Sequence, residues 1–206
     1  MTVPSLGNGV AVPIPDATFP EHLERLRSAE IPEPGAPFFV DWMGVRTRIP
    51  MLTWAPDELA GTINADLPIP DDGYRSEDFE YVALSRAICD DSDHPLRVVE
   101  VGAGWAPWAV AALVHSRRSG RPGLGIAIEA DARRCDWARQ HAQDNDLAVS
   151  IVDGKAQHLH HRLVEALKAW SGQGHLLVVI AAAAWHETTT VKFPKSPADD
   201  KIGRAH

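Results

Sequence analysis

The run Val98-Val99-Glu100-Val101-Gly102-Ala103-Gly104 constrains this chain more than any other stretch. A short β-branched segment that ends in two closely spaced glycines reads as a strand entering a sharp turn. Trp105 to Arg117 follows with an apolar majority and reads as a helix. The alternation then continues. Leu124 to Ala130 reads as a strand, Ala132 to Asn145 as a helix capped by Asp131, and Ala148 to Val152 as a third strand candidate. Leu159 to Trp170 has one apolar face, and Leu176 to Ile180 is a continuous apolar run of the kind buried on both faces of a parallel sheet. Val191-Lys192-Phe193 reads as a last short strand. Strand alternating with helix in this order predicts an α/β fold with a Rossmann-like parallel sheet.

Upstream of this pattern the signals are weaker. Residues 1–20 are rich in proline, glycine and small side chains and read as a flexible lead-in, followed by a short helix over Pro20 to Ala29. Phe38 to Arg48 has a β-like composition around Gly44 and suggests a hairpin. A helix is expected from Glu77 to Cys89, with Ser76 as its cap. The expected organisation is therefore a lead-in and helix over 1–30, a β-like extension over 31–75, a Rossmann-like domain over 76–194 and a tail over 195–206. A chain of 206 residues suits one domain of this size.

Composition removes several function classes. A net charge of −8 argues against a partner held by its phosphate backbone, which needs a basic face. Two cysteines, Cys89 and Cys135, are too few for a disulfide framework. No apolar run approaches the roughly 20 residues that span a bilayer, and no basic n-region leads into an apolar stretch. The expectation is a cytoplasmic protein without a membrane or nucleic-acid partner. Oligomeric state leaves no trace in the sequence.

The glycine turn carries the chemistry. Glycines let the backbone turn without a Cβ and let a ligand lie against it, and the next helix aims its first N–H groups into the same crevice. Two ligand classes use such a turn. A dinucleotide sets its pyrophosphate on the helix start and needs a third small residue, but Pro107 stands there. S-adenosylmethionine (SAM) has no phosphate and carries an ammonium, which suits Glu100. Glu129, at the end of the second strand, can accept hydrogen bonds from two ribose hydroxyls. SAM is therefore preferred. The cofactor-binding candidates are Glu100, Gly102, Ala103, Gly104, Trp105 and Glu129, with Asp153 after the third strand on the adenine side.

The segment V-V-E-V-G-A-G-W-A-P-W from Val98 to Trp108, with I-E-A-D at Ile128 to Asp131 and an N-D pair at Asn145, resembles FkbM-type SAM-dependent methyltransferases. The upstream pieces G-V-R-T-R at Gly44 to Arg48 and L-P-I-P at Leu67 to Pro70, ahead of Phe79-Glu80-Tyr81, are similar too. The likeness covers about residues 38 to 150. It implies a class I methyltransferase fold and methyl transfer, often to a hydroxyl of a sugar or other small-molecule acceptor. It also implies that Glu100, Gly102 and Gly104 line the methionine end and Glu129 the ribose.

Two departures matter. The family continues with a strand of the K-I-D-x-E-G type, which is absent here, so the sheet is expected to be incomplete and no catalytic base is assigned. Either Asp153-Gly154 or the region Ala181 to Trp185 forms the adenine side. In the second alignment, which is slightly preferred, Leu176 to Trp185 is the true third strand and residues 151–175 are inserted before it. The closing Ile202-Gly203-Arg204-Ala205-His206 is read in two ways, as the translation of a sequencing adapter on a truncated chain or as a genuine basic tail.

Other residues receive plainer readings. His158, His160 and His161 sit at a helix start and read as solvated, with no metal assigned. Trp105 and Trp108 flank the turn, where packing against the sheet competes with shaping a pocket. Trp137 and Trp170 read as core, and His186 is a minor candidate for a base. Beside the methyltransferase stand two alternatives, a catalytically silent nucleotide-binding scaffold and an NAD-dependent oxidoreductase.

Overall fold

The computed structural model describes residues 19–52, 55–89, 93–154, 159–170, 172 and 174–183. The lead-in up to residue 18, His158, Trp185, His186, the expected strand at 191–193 and the tail lie outside the described residues. Two sheets form. A small one joins β1 (Phe38–Asp41) to β2 (Arg46–Arg48) in an antiparallel hairpin, with β3 (Ile63–Asn64) parallel on the other side of β1. The hairpin matches its composition. The two-residue β3 has no period for a sequence reading to detect.

Among the described residues the large sheet has four strands, all parallel: β4 (Leu96–Val101), β5 (Gly123–Glu129), β6 (Ala148–Asp153) and β7 (His175–Ala181). Their spatial order is β4-β5-β7-β6. This is an α/β fold with a helix-flanked parallel sheet, compatible with a Rossmann-like fold. The chain winds outward through α3 (Pro107–Arg118) and α4 (Ala132–Asp144), skips one position to place β6 at the edge, and returns through α5 (Leu159–Ala169). Parallel crossovers keep one hand, so reversing direction moves the helix to the opposite face. The packing agrees. Leu113 of α3 and Ala138 of α4 share one core with Ala127, Leu177 and Val179, whereas Leu163 and Ala166 of α5 meet Leu124, Val178 and Ile180 on the other side.

Two further helices, α1 (Phe19–Leu26) and α2 (Asp78–Ile88), extend the first of these cores through Leu23, Leu26, Tyr81 and Ile88. Helix α1 stops three residues before its expected end, where the Ser28 N–H turns to the Trp42 carbonyl. Helix α2 is not capped by Ser76. Asp72 Oδ1 gathers the N–H groups of Tyr74, Arg75 and Ser76 into a tight turn, so the helix begins one residue later, after Glu77. Helix α3 starts at Pro107 rather than Trp105, because Ala106 adopts a left-handed conformation and proline suits a first helical turn. The cap on α4 is as expected: the Asp131 side chain accepts the Arg134 N–H at 3.1 Å.

Candidate functional site

The site is built at the carboxyl ends of β4, β5 and β7. Gly102 (φ +67°) and Gly104 (φ +55°) are both left-handed, and a Cβ placed at either would meet nothing within 4 Å. Open space therefore borders the turn on its backbone side. Ala106 (φ 58°) is left-handed as well and fully buried, a conformation that costs a non-glycine residue about 1 kcal/mol or more.

The turn is tied to β5. Gly102 and Ala103 both donate to the Ile128 carbonyl, at 2.9 and 3.0 Å. Gly104 donates to Glu129 Oε2 at 2.8 Å, and the Asp131 N–H reaches the other carboxylate oxygen at 2.8 Å. Glu129 is only 7% exposed, so it is a built-in acceptor rather than a solvated cap. Each of its oxygens retains a second lone pair.

Glu100 performs a role its position does not advertise. Its Oε2 accepts the Ala109 N–H at 2.8 Å, and it also accepts the Trp108 N–H, so a strand acid supplies the N-terminal cap that Ala106 cannot give α3. Burial, opposed by these two bonds and by nearby Arg75, raises its carboxyl from the ordinary 4.5 to about 7. Such a group gains from a cation.

These bonds together decide what the crevice can take. The N–H groups of Gly102, Ala103, Gly104, Trp108 and Ala109 all point to acceptors inside the protein. A pyrophosphate binds at such a turn through these donors, and here they are engaged. Two acids, Glu129 and Glu100, stand at the same turn and accept from its backbone.

The remaining candidates are distributed as follows. The Ala103 side chain is buried in the main core. Trp105 does not pack on the sheet: its indole joins Phe39, Ile49, Leu52 and Tyr74 beneath the small sheet. Trp108 stacks edge-on to Tyr81, centroids 5.1 Å apart. Asp153 ends the edge strand β6 and is paired in register with Ala181, which in turn pairs with Glu129. Two strand spacings of about 4.8 Å thus separate Asp153 from Glu129. The end of β7 is the nearer neighbour of Glu129. Gly154 closes against it, since a Cβ there would lie 2.5 Å from the Ala181 carbonyl oxygen. His161 pairs with Glu165 one turn later at 3.2 Å, on an exposed face of α5.

A second set of polar residues, distant in sequence, meets in the fold. Asp41, Thr47, Arg75 and His141 form a buried polar chain that ends on the Trp105 carbonyl. Thr47 and Asn145 fall in segments of the family likeness, but nothing in the sequence says that these segments touch. A cavity of about 650 Å³ lies elsewhere, lined by Arg27, Arg46, Arg117, Arg118, Glu30 and Asp146 among others. Its arginines serve packing: Arg118 donates to the Met43 and Leu26 carbonyls, and Arg117 to those of Asn145 and Asp146.

No helix among the described residues is long and apolar enough to cross a membrane. Comparison with protein-family models, with curated proteins and with solved structures finds no match to this chain.

Proposed function

We propose that this chain binds SAM in the crevice bordered by Glu100, Gly102, Gly104 and Glu129, and belongs to the class I methyltransferases of FkbM type. The observation that carries the reading is the donor balance of the turn. The N–H groups of Gly102, Ala103, Gly104, Trp108 and Ala109 are engaged internally and two acids stand at the turn, so the favoured ligand brings hydrogen-bond donors and positive charge rather than phosphate. The ribose hydroxyls of SAM suit the spare lone pairs of Glu129. Its ammonium suits the Glu100 carboxyl, which a cation would hold ionised. The end of β7 at Ala181 borders the adenine side.

The same balance weighs against the NAD-dependent oxidoreductase. Bound SAM supplies a methyl group on a sulfonium that is already activated as a leaving group. The protein's part is to align a nucleophile in line and to exclude water. A hydroxyl of a sugar or other small metabolite is the proposed acceptor, on the strength of the family likeness. A reducing compartment such as the cytoplasm suits two cysteines that form no disulfide.

Isothermal titration of the wild-type chain with SAM, S-adenosylhomocysteine and NAD+ tests the reading. SAM and S-adenosylhomocysteine are expected to bind and NAD+ is not. Binding of NAD+ without SAM would overturn the assignment.

A further inference from the structure

We propose that His141, held in place by Thr47 of the module built around the small sheet and by Arg75 of the loop before α2, is a positioning residue that fixes the Trp105 carbonyl and with it the glycine turn of the cofactor crevice. The ligand side of this proposal rests on the SAM reading above; the positioning itself does not.

The module is fastened to α4 along three consecutive residues of β2. Asn145 accepts the Arg46 N–H at 2.9 Å and donates to the Arg46 carbonyl at 2.8 Å, as a neighbouring strand would. Arg48 grips Asp144 through two bonds, of 2.6 and 2.8 Å. Between them Thr47 Oγ1 lies 3.3 Å from His141 Nε2.

The direction of every bond in the chain follows from its last acceptor. The Trp105 carbonyl can only accept, so His141 Nδ1 carries the proton and donates across 3.0 Å. The ring is fully buried, and burial, aided by Arg75, lowers its pKa to about 4, so it is neutral. The ring also meets the Arg46 backbone; with Nδ1 the donor, Nε2 accepts the Thr47 hydroxyl proton. Thr47 Oγ1 in turn accepts from Arg75 Nη2 at 3.3 Å, and Arg75 Nη1 is paired with Asp41 at 2.7 Å. Asp41 Oδ1 holds the Met43 and Val45 N–H groups at the hairpin tip, each at 2.9 Å.

A leucine would fill the His141 position with less desolvation. What a doubly engaged imidazole adds is a fixed location for one carbonyl. That carbonyl needs one. Gly102, Gly104 and Ala106 are all left-handed, so the turn is not maintained by local backbone preference. From one side it is tied to Ile128 and Glu129 of β5. The Trp105 indole in the module's core and the His141 bond tie it from the other.

The test compares two amides in the full-length chain. In His141→Asn the amide nitrogen falls near the position of Nδ1 and keeps the donor to Trp105. In His141→Gln the amide reaches the position of Nε2, keeping Thr47 and losing Trp105. Hydrogen exchange of the ligand-free protein is expected to rise at least tenfold at Ala103, Gly104 and Ala106 in the Gln variant and to stay within threefold of wild type in the Asn variant. The SAM Kd should weaken at least tenfold in the Gln variant only. If either variant fails to fold, Thr47→Val against Thr47→Ser reads the same relay, with the exchange rise expected in the valine variant alone.

Equal exchange in the paired variants, or changes that merely follow their thermal midpoints, would overturn the positioning role. A rise in exchange without a change in SAM affinity would overturn its link to the cofactor. A wild-type chain that binds no SAM would defeat the cofactor reading, and the exchange comparison would still decide the relay.

Discussion

At Glu129, two backbone N–H groups converge on one nearly buried carboxylate, and both come from loops that frame the crevice. Hydrogen bonds to a charged acceptor contribute about 1.5–3 kcal/mol each. Glu129→Gln aims a donor at one of these N–H groups, so a loss of about 2–4 kcal/mol in unfolding free energy is expected in denaturant titration, together with at least tenfold weaker SAM binding. Gly102→Val should act differently. Space beside Gly102 is open, so the strain of a β-branched residue at φ +67° and the filling of the proposed ligand's place dominate. SAM binding should be abolished at a modest cost in stability, and normal affinity in this variant would contradict the proposed site. Glu100 gives a pH signature. Its folded pKa of about 7 lies above the ordinary 4.5, so its contribution to stability is full below pH 4.5 and is lost as pH rises through 7. Glu100→Gln keeps an acceptor for α3 and removes the titration. The stability of wild type minus variant should therefore fall between pH 4.5 and 7, by up to about 3 kcal/mol. His115 and His141, whose pKa values burial lowers to about 4, titrate in both proteins and cancel in the difference. A flat difference across that range would contradict the buried carboxyl.

Strand β7 and helix α3 were legible because each buries a continuous apolar set, Leu176 to Ile180 and Val110 to Val114, whereas β4 and β6 showed by their β-branched composition. The order of the strands was not, since the apolar runs of β6 and β7 carry no mark of which lies beside β5. The handedness of the crossovers and the packing of α5 decide it. The candidate site was half legible. Glycines and acids announce themselves by type, but Glu100 capping α3 and His141 holding Trp105 depend on contacts between residues 9 and 36 positions apart. Closeness between elements can also be tested. A Cβ at Gly125 would lie 3.1 Å from both Leu113 and Leu177, so β5 is where α3 approaches the sheet most tightly. Gly125→Val should destabilise by about 1–3 kcal/mol through overpacking. Asn145→Ala removes three bonds to Arg46 and His141 at a buried helix end and should cost about 2–3 kcal/mol. Both are read by thermal or chemical unfolding, and an unchanged midpoint in either would contradict the packing described.

Across the whole molecule the sheet is covered unevenly. Among the described residues β4 has a partner on one side only, and Val99 and Val101 are 59% and 62% exposed on the face that α5 covers further along. An apolar strand with an open edge is a template for association. Replacing Val99 with lysine should reduce concentration-dependent association in light scattering, and an unchanged profile would show that this edge is not what associates. The reversal of winding at β6 has a practical meaning for anyone handling the protein. Because β7 returns to the middle of the sheet, the polypeptide leaves Ala181 beside Glu129, at the lip of the crevice rather than at a remote corner. A tag, cleavage site or fusion joint placed directly after Ala183 would therefore sit at the proposed binding site, whereas α5, on the far face, offers a place where such changes stand apart from it.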